Sequence, residues 1–304
     1  MRHINMDIVR FTEAAAIAAS AWIGSGDKIA ADRAATEAMR ERLNKVDFHA
    51  KIVIGEGIKD GSVGLFAGEF VGKASPNDKT YEIAVDPIEG TRPTVTSGPE
   101  ALSVIAVAEK GGLFETGEFY MNKLACGPDI AAKAKISITD PVAVIVKKVS
   151  AAIEKKTNQM MVCLLDRPRH EKIISELRSL GVRIKLIQDC DVSGAIAAGL
   201  PTSGIDLLLG TGGAPEGVIA ACALKCLNGD FQAQIADKDG KVLNPKILHL
   251  NDLVKTSCAF AATGITSGSL LQGVRYTSKN AITHSVFMRS ESGTTRWITT
   301  YHGN

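Results

Sequence analysis

No two of the six cysteines, Cys126, Cys163, Cys190, Cys222, Cys226 and Cys258, are spaced as CxxC, so the chain offers neither a paired-cysteine zinc site nor a thiol-exchange motif. Thiols scattered this way through 304 residues are expected to be free, in a reducing compartment such as the cytoplasm. Aromatic residues make up only 5% of the chain, too few for the stacking platforms that hold single-stranded nucleic acid. Neither sign of charge dominates: 35 Lys and Arg against 33 Asp and Glu leave a net +2. That leaves no positive field to attract a nucleic acid or an anionic membrane. Long apolar runs are missing as well. The most apolar N-terminal stretch, residues 14–23, is short, Ala-dominated and preceded by Asp7 and Glu13, so neither a signal peptide nor a membrane span is expected. The P-loop, nucleophile-elbow and zinc-protease motifs do not occur, which leaves serine-hydrolase and zinc-protease readings without a motif to rest on.

What is present points to α/β layers packed through small side chains: 45% of the chain is apolar and 29 residues are glycine. Ile8, Phe11, Ala15, Ala18 and Trp22 recur at three- and four-residue spacing and predict a helix over 4–22. Ala35, Met39 and Leu43 predict a second over 30–43, with Asp32 in its first turn. Residues 51–54 and 81–85 read as buried strands running into Gly55-Glu56-Gly57 and Asp86-Pro87, so two strands end on an acid. Strands are also expected at 103–108 and 120–126, and Asp140-Pro141 opens a helix to about 155. From there 161–165, 171–180, 182–187, 192–200, 205–209 and 216–227 alternate β-α-β-α-β-α, the pattern of a parallel, doubly wound half. Residues 263–266, 283–289 and 296–301 read as closing strands in hairpins that could pack on either lobe. The division expected is an N-terminal α+β lobe over 1–145 with most of the acids, and a C-terminal α/β lobe over 146–304 with the terminal hairpins.

Glu56, Asp86, Glu89 and Glu216 all fall at predicted strand ends or just beyond, where ligands bind in open α/β sheets. Carboxylates brought together repel one another unless a cation neutralises them, so this set points to Mg²⁺ or Mn²⁺. Any one of them alone reads better as a turn or first-turn residue. Asp86-Pro87-Ile88-Glu89-Gly90-Thr91 is more specific, with two acids three apart on a Pro-stiffened turn that then offers amides and a hydroxyl. In Gly210-Thr211-Gly212-Gly213-Ala214-Pro215-Glu216 the proline breaks the dinucleotide fingerprint. What remains is a Gly-rich turn into a helix, suited to an anion. Arg167-Pro168-Arg169-His170 sets two guanidiniums after a strand, fit for bidentate phosphate recognition or simply a solvated basic turn. Asp189 and Asp191 either accept from sugar hydroxyls or cap the helix near Val192, with Cys190 structural and His170 an ordinary turn residue.

These segments together, with Gly26-Asp27-Lys28, Asp32 and Val53-Ile54-Gly55-Glu56-Gly57, resemble in order and spacing the class II, GlpX-type fructose-1,6-bisphosphatases. The hexapeptide also resembles the signature of the wider lithium-sensitive sugar and inositol phosphatases. The resemblance implies a layered α/β/α/β/α sugar-phosphatase fold with two lobes and hydrolysis of the C1 phosphate of fructose 1,6-bisphosphate in gluconeogenesis. It also implies Mn²⁺ or Mg²⁺ as cofactor and a homo-oligomer, dimer or tetramer. Transferred residue by residue, the metal ligands fall on Asp32, Glu56, Asp86, Glu89 and Glu216, with Asp32, Glu56 and Thr91 catalytic. Substrate contacts fall on Glu89, Gly90, Thr91, Tyr120, Arg167, Pro168, Arg169, Asp189, Cys190, Asp191 and Gly213. The chain departs from the family at 58–64, where Ile58 replaces an acid, and is shorter after Asp230. The competing expectations are a related phosphatase acting on inositol monophosphate, a 3′-phosphoadenosine nucleotide or sedoheptulose 1,7-bisphosphate, and a non-catalytic sugar-phosphate-binding regulator.

Overall fold

The computed structural model describes residues 7–57, 64–75 and 79–303, so Ile4 and the divergent stretch 58–63 lie outside the described residues. The chain opens with two helices, α1 (Asp7–Ser20) and α2 (Lys28–Leu43). α1 buries Ile8, Phe11 and Ala15 and α2 buries Ala35, Met39 and Leu43, the faces their spacing predicts. Asp27 caps α2 by accepting from the Ala30 amide at 3.0 Å, starting the helix early and moving Asp32 into its second turn. Strands β1 (His49–Ile54), β2 (Phe70–Val71) and β3 (Thr80–Glu89), helix α3 (Thr91–Val95) and strand β4 (Leu102–Glu109) follow.

The chain then builds a second compact unit over 116–254. Its elements are β5 (Tyr120–Cys126), α4 (Pro128–Lys133), α5 (Val142–Ala152), β6 (Met161–Leu165), α6 (Glu171–Ser179), β7 (Arg183–Ile187), α7 (Asp191–Gly199), β8 (Leu207–Gly213), α8 (Ala214–Cys226), β9 (Asp230–Ala236), β10 (Leu248–His249) and α9 (Leu250–Leu253). The six-stranded sheet runs β10-β9-β5-β8-β6-β7. β7, β6 and β8 are parallel, as the alternating pattern requires, while β5 and β9 extend the sheet antiparallel. Strand alternation assigns its faces. Leu124 and Cys126 of β5 join a core with Ile130, Ile145, Val149 and Leu177 from α4, α5 and α6, whereas Met121 and Lys123 lie against Gly217 of α8.

Strands β11 (Cys258–Gly264), β12 (Arg275–Tyr276), β13 (Asn280–Arg289) and β14 (Thr294–Gly303) return to the first unit, which comprises 1–115 and 255–304. The eight-stranded sheet there runs β12-β13-β11-β4-β3-β1-β2, with β14 on β13. The division therefore falls at 115/116 and 254/255 rather than at 145/146. The terminal strands leave the unit that precedes them because β11 pairs along all of its length with β4. Isolated 120–126, which reads as the last strand of an N-terminal lobe, is instead sandwiched between β8 and β9. The described residues form a mixed α/β fold with two sheets and no helix long and apolar enough to cross a membrane.

Candidate active site

In the first unit β3 does not stop at Val85 but runs on through Asp86-Pro87-Ile88-Glu89. Asp86 registers with Val104 and Glu89 with Leu102, so three steps on β3 match two on β4, the signature of a β-bulge. Pro87 suits that place, since it has no amide to give to the ladder. The bulge breaks strict alternation, and one carboxylate oxygen of Asp86 and one of Glu89 come within 4.8 Å of each other. Glu89 is buried, at 5% exposure, and the Asp86 carboxylate accepts from the Ile88 amide at 3.0 Å.

Gly90 then takes a left-handed conformation, φ 98°, which an L side chain resists, and turns the chain straight into α3. Its first residue, Thr91, donates its hydroxyl to Asp32 Oδ1 at 2.8 Å. Asp32 is held in reach because the Gly24 and Gly26 amides ahead of α2 donate to the Thr94 and Val95 carbonyls of α3, at 3.1 and 3.0 Å. Glu56 lies two residues beyond Ile54, which registers in parallel with Ala84, itself two residues before Asp86. Asp32, Glu56, Asp86, Glu89 and Thr91 thus share one region of the first unit.

In the second unit the Gly-rich segment is the end of β8, paired residue by residue with β5 up to Gly213, and not a turn. α8 begins at the next residue, with Glu216 in its first turn. The glycines are required by what faces them. A Cβ on Gly212 would lie 1.9 Å from Asp191 Oδ2, one on Gly213 2.0 Å from Glu216 Oε2, and one on Gly210 2.9 Å from His170 Nε2.

Arg167 pairs with Asp189. Arg169 seats its guanidinium on the Thr211 carbonyl through Nε at 3.2 Å and Nη2 at 2.8 Å and lies 5.5 Å over the Tyr120 ring, a cation–π distance. Burial is the first cause that lowers the Arg169 pKa from its ordinary value, followed by the charge of Arg167. Pro168 opens the short 3₁₀ turn that closes on His170.

Asp191 neither caps a helix nor faces solvent. Its Oδ2 accepts from Lys123 Nζ at 2.6 Å, with side-chain exposures of 8% and 2%. The cap position of α7 is Cys190, left-handed at φ 68° and without a side-chain cap bond; the residue is buried, as its structural reading requires. Lys123 is the residue that sequence reasoning missed. Its signal was available: a lysine in the apolar alternation of a central strand needs a buried acid. His170 is not an ordinary surface turn residue either, being 1% exposed and hydrogen-bonded at both ring nitrogens.

The model of the bacterial fructose-1,6-bisphosphatase family, glpX-encoded, matches residues 2–302. Among similar curated proteins are the D-fructose 1,6-bisphosphatase class 2/sedoheptulose 1,7-bisphosphatases of Crocosphaera subtropica, 38% identical, and Trichormus variabilis, 39% identical. Both alignments cover 98% of this chain and 96% of the relative. On these matches the chain belongs to the class II, GlpX-type fructose-1,6-bisphosphatases, a family of phosphatase hydrolases.

Proposed function

We infer that the chain hydrolyses the C1 phosphate of fructose 1,6-bisphosphate by direct attack of water, in the cytoplasm, with Mn²⁺ or Mg²⁺ held by Asp32, Glu56, Asp86, Glu89 and Glu216. The approach of the Asp86 and Glu89 carboxylates to within 4.8 Å, in a chain of this family, carries the reading. The donor set fits the group. It is all carboxylate, and hard oxygen donors suit Mg²⁺ or Mn²⁺ rather than softer ions. When bound, such a cation neutralises phosphate charge and eases deprotonation of water.

The chain's own groups do the positioning. Because the Thr91 hydroxyl donates its hydrogen bond to Asp32, its lone pairs are left to accept from the attacking water and aim it. Gly90 and Thr91 present amides to the phosphate oxygens as an anion nest. Arg167 and Arg169 hold the second phosphate, supplying orientation rather than bond making. Tyr120, Asp189 and Gly213 line the sugar, with the buried Cys190 and Asp191 backing that wall, and the working form is a homo-oligomer. A second activity on sedoheptulose 1,7-bisphosphate is favoured by the names of the relatives.

The test is phosphate release from fructose 1,6-bisphosphate, sedoheptulose 1,7-bisphosphate and inositol 1-phosphate, each with EDTA, Mg²⁺ or Mn²⁺. Metal-dependent release from the fructose substrate, abolished in Glu216→Gln with the fold intact, is expected. Full activity in that variant refutes the ligand assignment. Sugar-phosphate binding without release would make the protein a regulator.

A further inference from the structure

His170 sits behind the arginines, in no expected contact with substrate, yet both of its ring nitrogens are engaged. Nδ1 lies 2.7 Å from the carbonyl of Leu165, the last residue of β6. Nε2 lies 2.7 Å from the amide nitrogen of Thr211 in β8. An amide can only donate, so Nε2 is the acceptor and the ring proton is on Nδ1, donated to Leu165. The ring is therefore neutral and held in one tautomer.

The partner it selects is the residue whose carbonyl receives Arg169 through two N–H groups. Thr211 is fixed on its remaining side as well, its hydroxyl donating to Asn122 Oδ1 at 2.6 Å. The geometry has been kept clear for this ring, since Gly210, at φ 124°, would place a Cβ 2.9 Å from Nε2.

We propose that His170 is a positioning residue for Arg169: by holding the Thr211 amide it sets the carbonyl on which the guanidinium is seated, and so pre-organises recognition of the phosphate that is not cleaved. The proposal rests on the reading that Arg169 binds that phosphate. His170→Asn keeps a donor near Nδ1 and loses the acceptor for Thr211, whereas His170→Gln keeps an acceptor near Nε2. His170→Asn is expected to raise KM for fructose 1,6-bisphosphate by roughly five- to tenfold, the scale of one lost hydrogen bond, with kcat nearly unchanged.

Inhibition by fructose 6-phosphate, which carries only the retained phosphate, should weaken by the same factor. Inhibition by orthophosphate should not change, and His170→Gln should recover most of the loss. A general loosening of the fold would move all of these together.

Arg169→Ala separates the two ideas. If it leaves fructose 6-phosphate inhibition intact, the phosphate assignment fails. If it weakens inhibition and His170→Asn does not, the positioning role alone fails. The double variant should be no worse than Arg169→Ala. Should His170→Asn not fold, ¹⁵N NMR of the native protein decides: a protonated Nε2 overturns the proposal, and a protonated Nδ1 with bare Nε2 is the expected result.

Discussion

Lys123→Met is expected to destabilise the second unit by about 3–5 kcal/mol, because it leaves the buried Asp191 carboxyl without its cationic partner. The pair is shut in. The lysine side chain is 2% and the aspartate 8% exposed, at 2.6 Å, and methionine matches the lysine stem without its charge. In a unit that spans 116–254 the change lowers the melting midpoint on the order of 10 °C. Circular dichroism during urea and thermal unfolding is the assay, since both tryptophans, Trp22 and Trp297, lie outside that unit and their fluorescence does not report on it. Lys123→Met with Asp191→Asn removes both charges and should recover most of the loss, as apolar or neutral replacement of a whole buried pair usually does. Gly212→Ala, whose Cβ would meet Asp191 Oδ2 at 1.9 Å, should reproduce the single-variant loss by pushing the pair apart. A cost below about 1 kcal/mol for Lys123→Met, the range of an exposed pair, would refute the reasoning.

Thr91→Ala should lower kcat by about a hundredfold with KM little changed, and Thr91→Ser should retain activity, if the hydroxyl seated on Asp32 orients water; steady-state kinetics with Mn²⁺ decides. Burial, opposed by the Leu165 hydrogen bond and aided by Arg169 and Arg167, holds the His170 pKa below its ordinary 6.5. The unfolded chain therefore takes up the proton first, so this histidine's contribution to stability is complete above pH 6.5 and is lost as pH falls toward the lowered value. Urea titrations between pH 7.5 and 5 should show that slope, reduced in His170→Gln. All six cysteines are buried and none is in a disulfide, and burial pushes Cys126 up to about 12. Iodoacetamide at pH 8 should label none of them in the native protein and all of them in guanidinium, as read by intact mass.

Periodicity made the helices and central strands readable: Ala35, Met39 and Leu43 are buried where their spacing puts them, and 161–165 is a strand to the residue. Glycine and proline misled at the two places that matter most. Asp86-Pro87 and Gly210–Gly213 look like turns by local chemistry. In the folded protein neighbours on β4 and β5 supply ladders that override that preference. The acids and arginines of the candidate site were legible because their side-chain chemistry announces them. Lys123, Thr211 and the true position of His170 were not, since their partners are 68, 42 and 41 residues away in the chain. The unit to which the terminal strands belong is not legible for a related reason, as no local pattern encodes that 258 will pair with 108.

That last pairing has a consequence during synthesis. The strand beside the one bearing Asp86 and Glu89 is complete at Glu109, but its neighbour on the other edge does not begin until Cys258. At about 5–20 residues per second on the ribosome, β4 waits roughly 7–30 s as an open edge while the second unit emerges and closes on itself. Thr12 and Thr263, hydroxyls 2.7 Å apart and 251 residues distant in sequence, meet only after that wait. The nascent chain thus carries an unsealed, strongly apolar strand through about half of its translation. This is the interval in which a chaperone, or a neighbouring nascent copy, would have access to it.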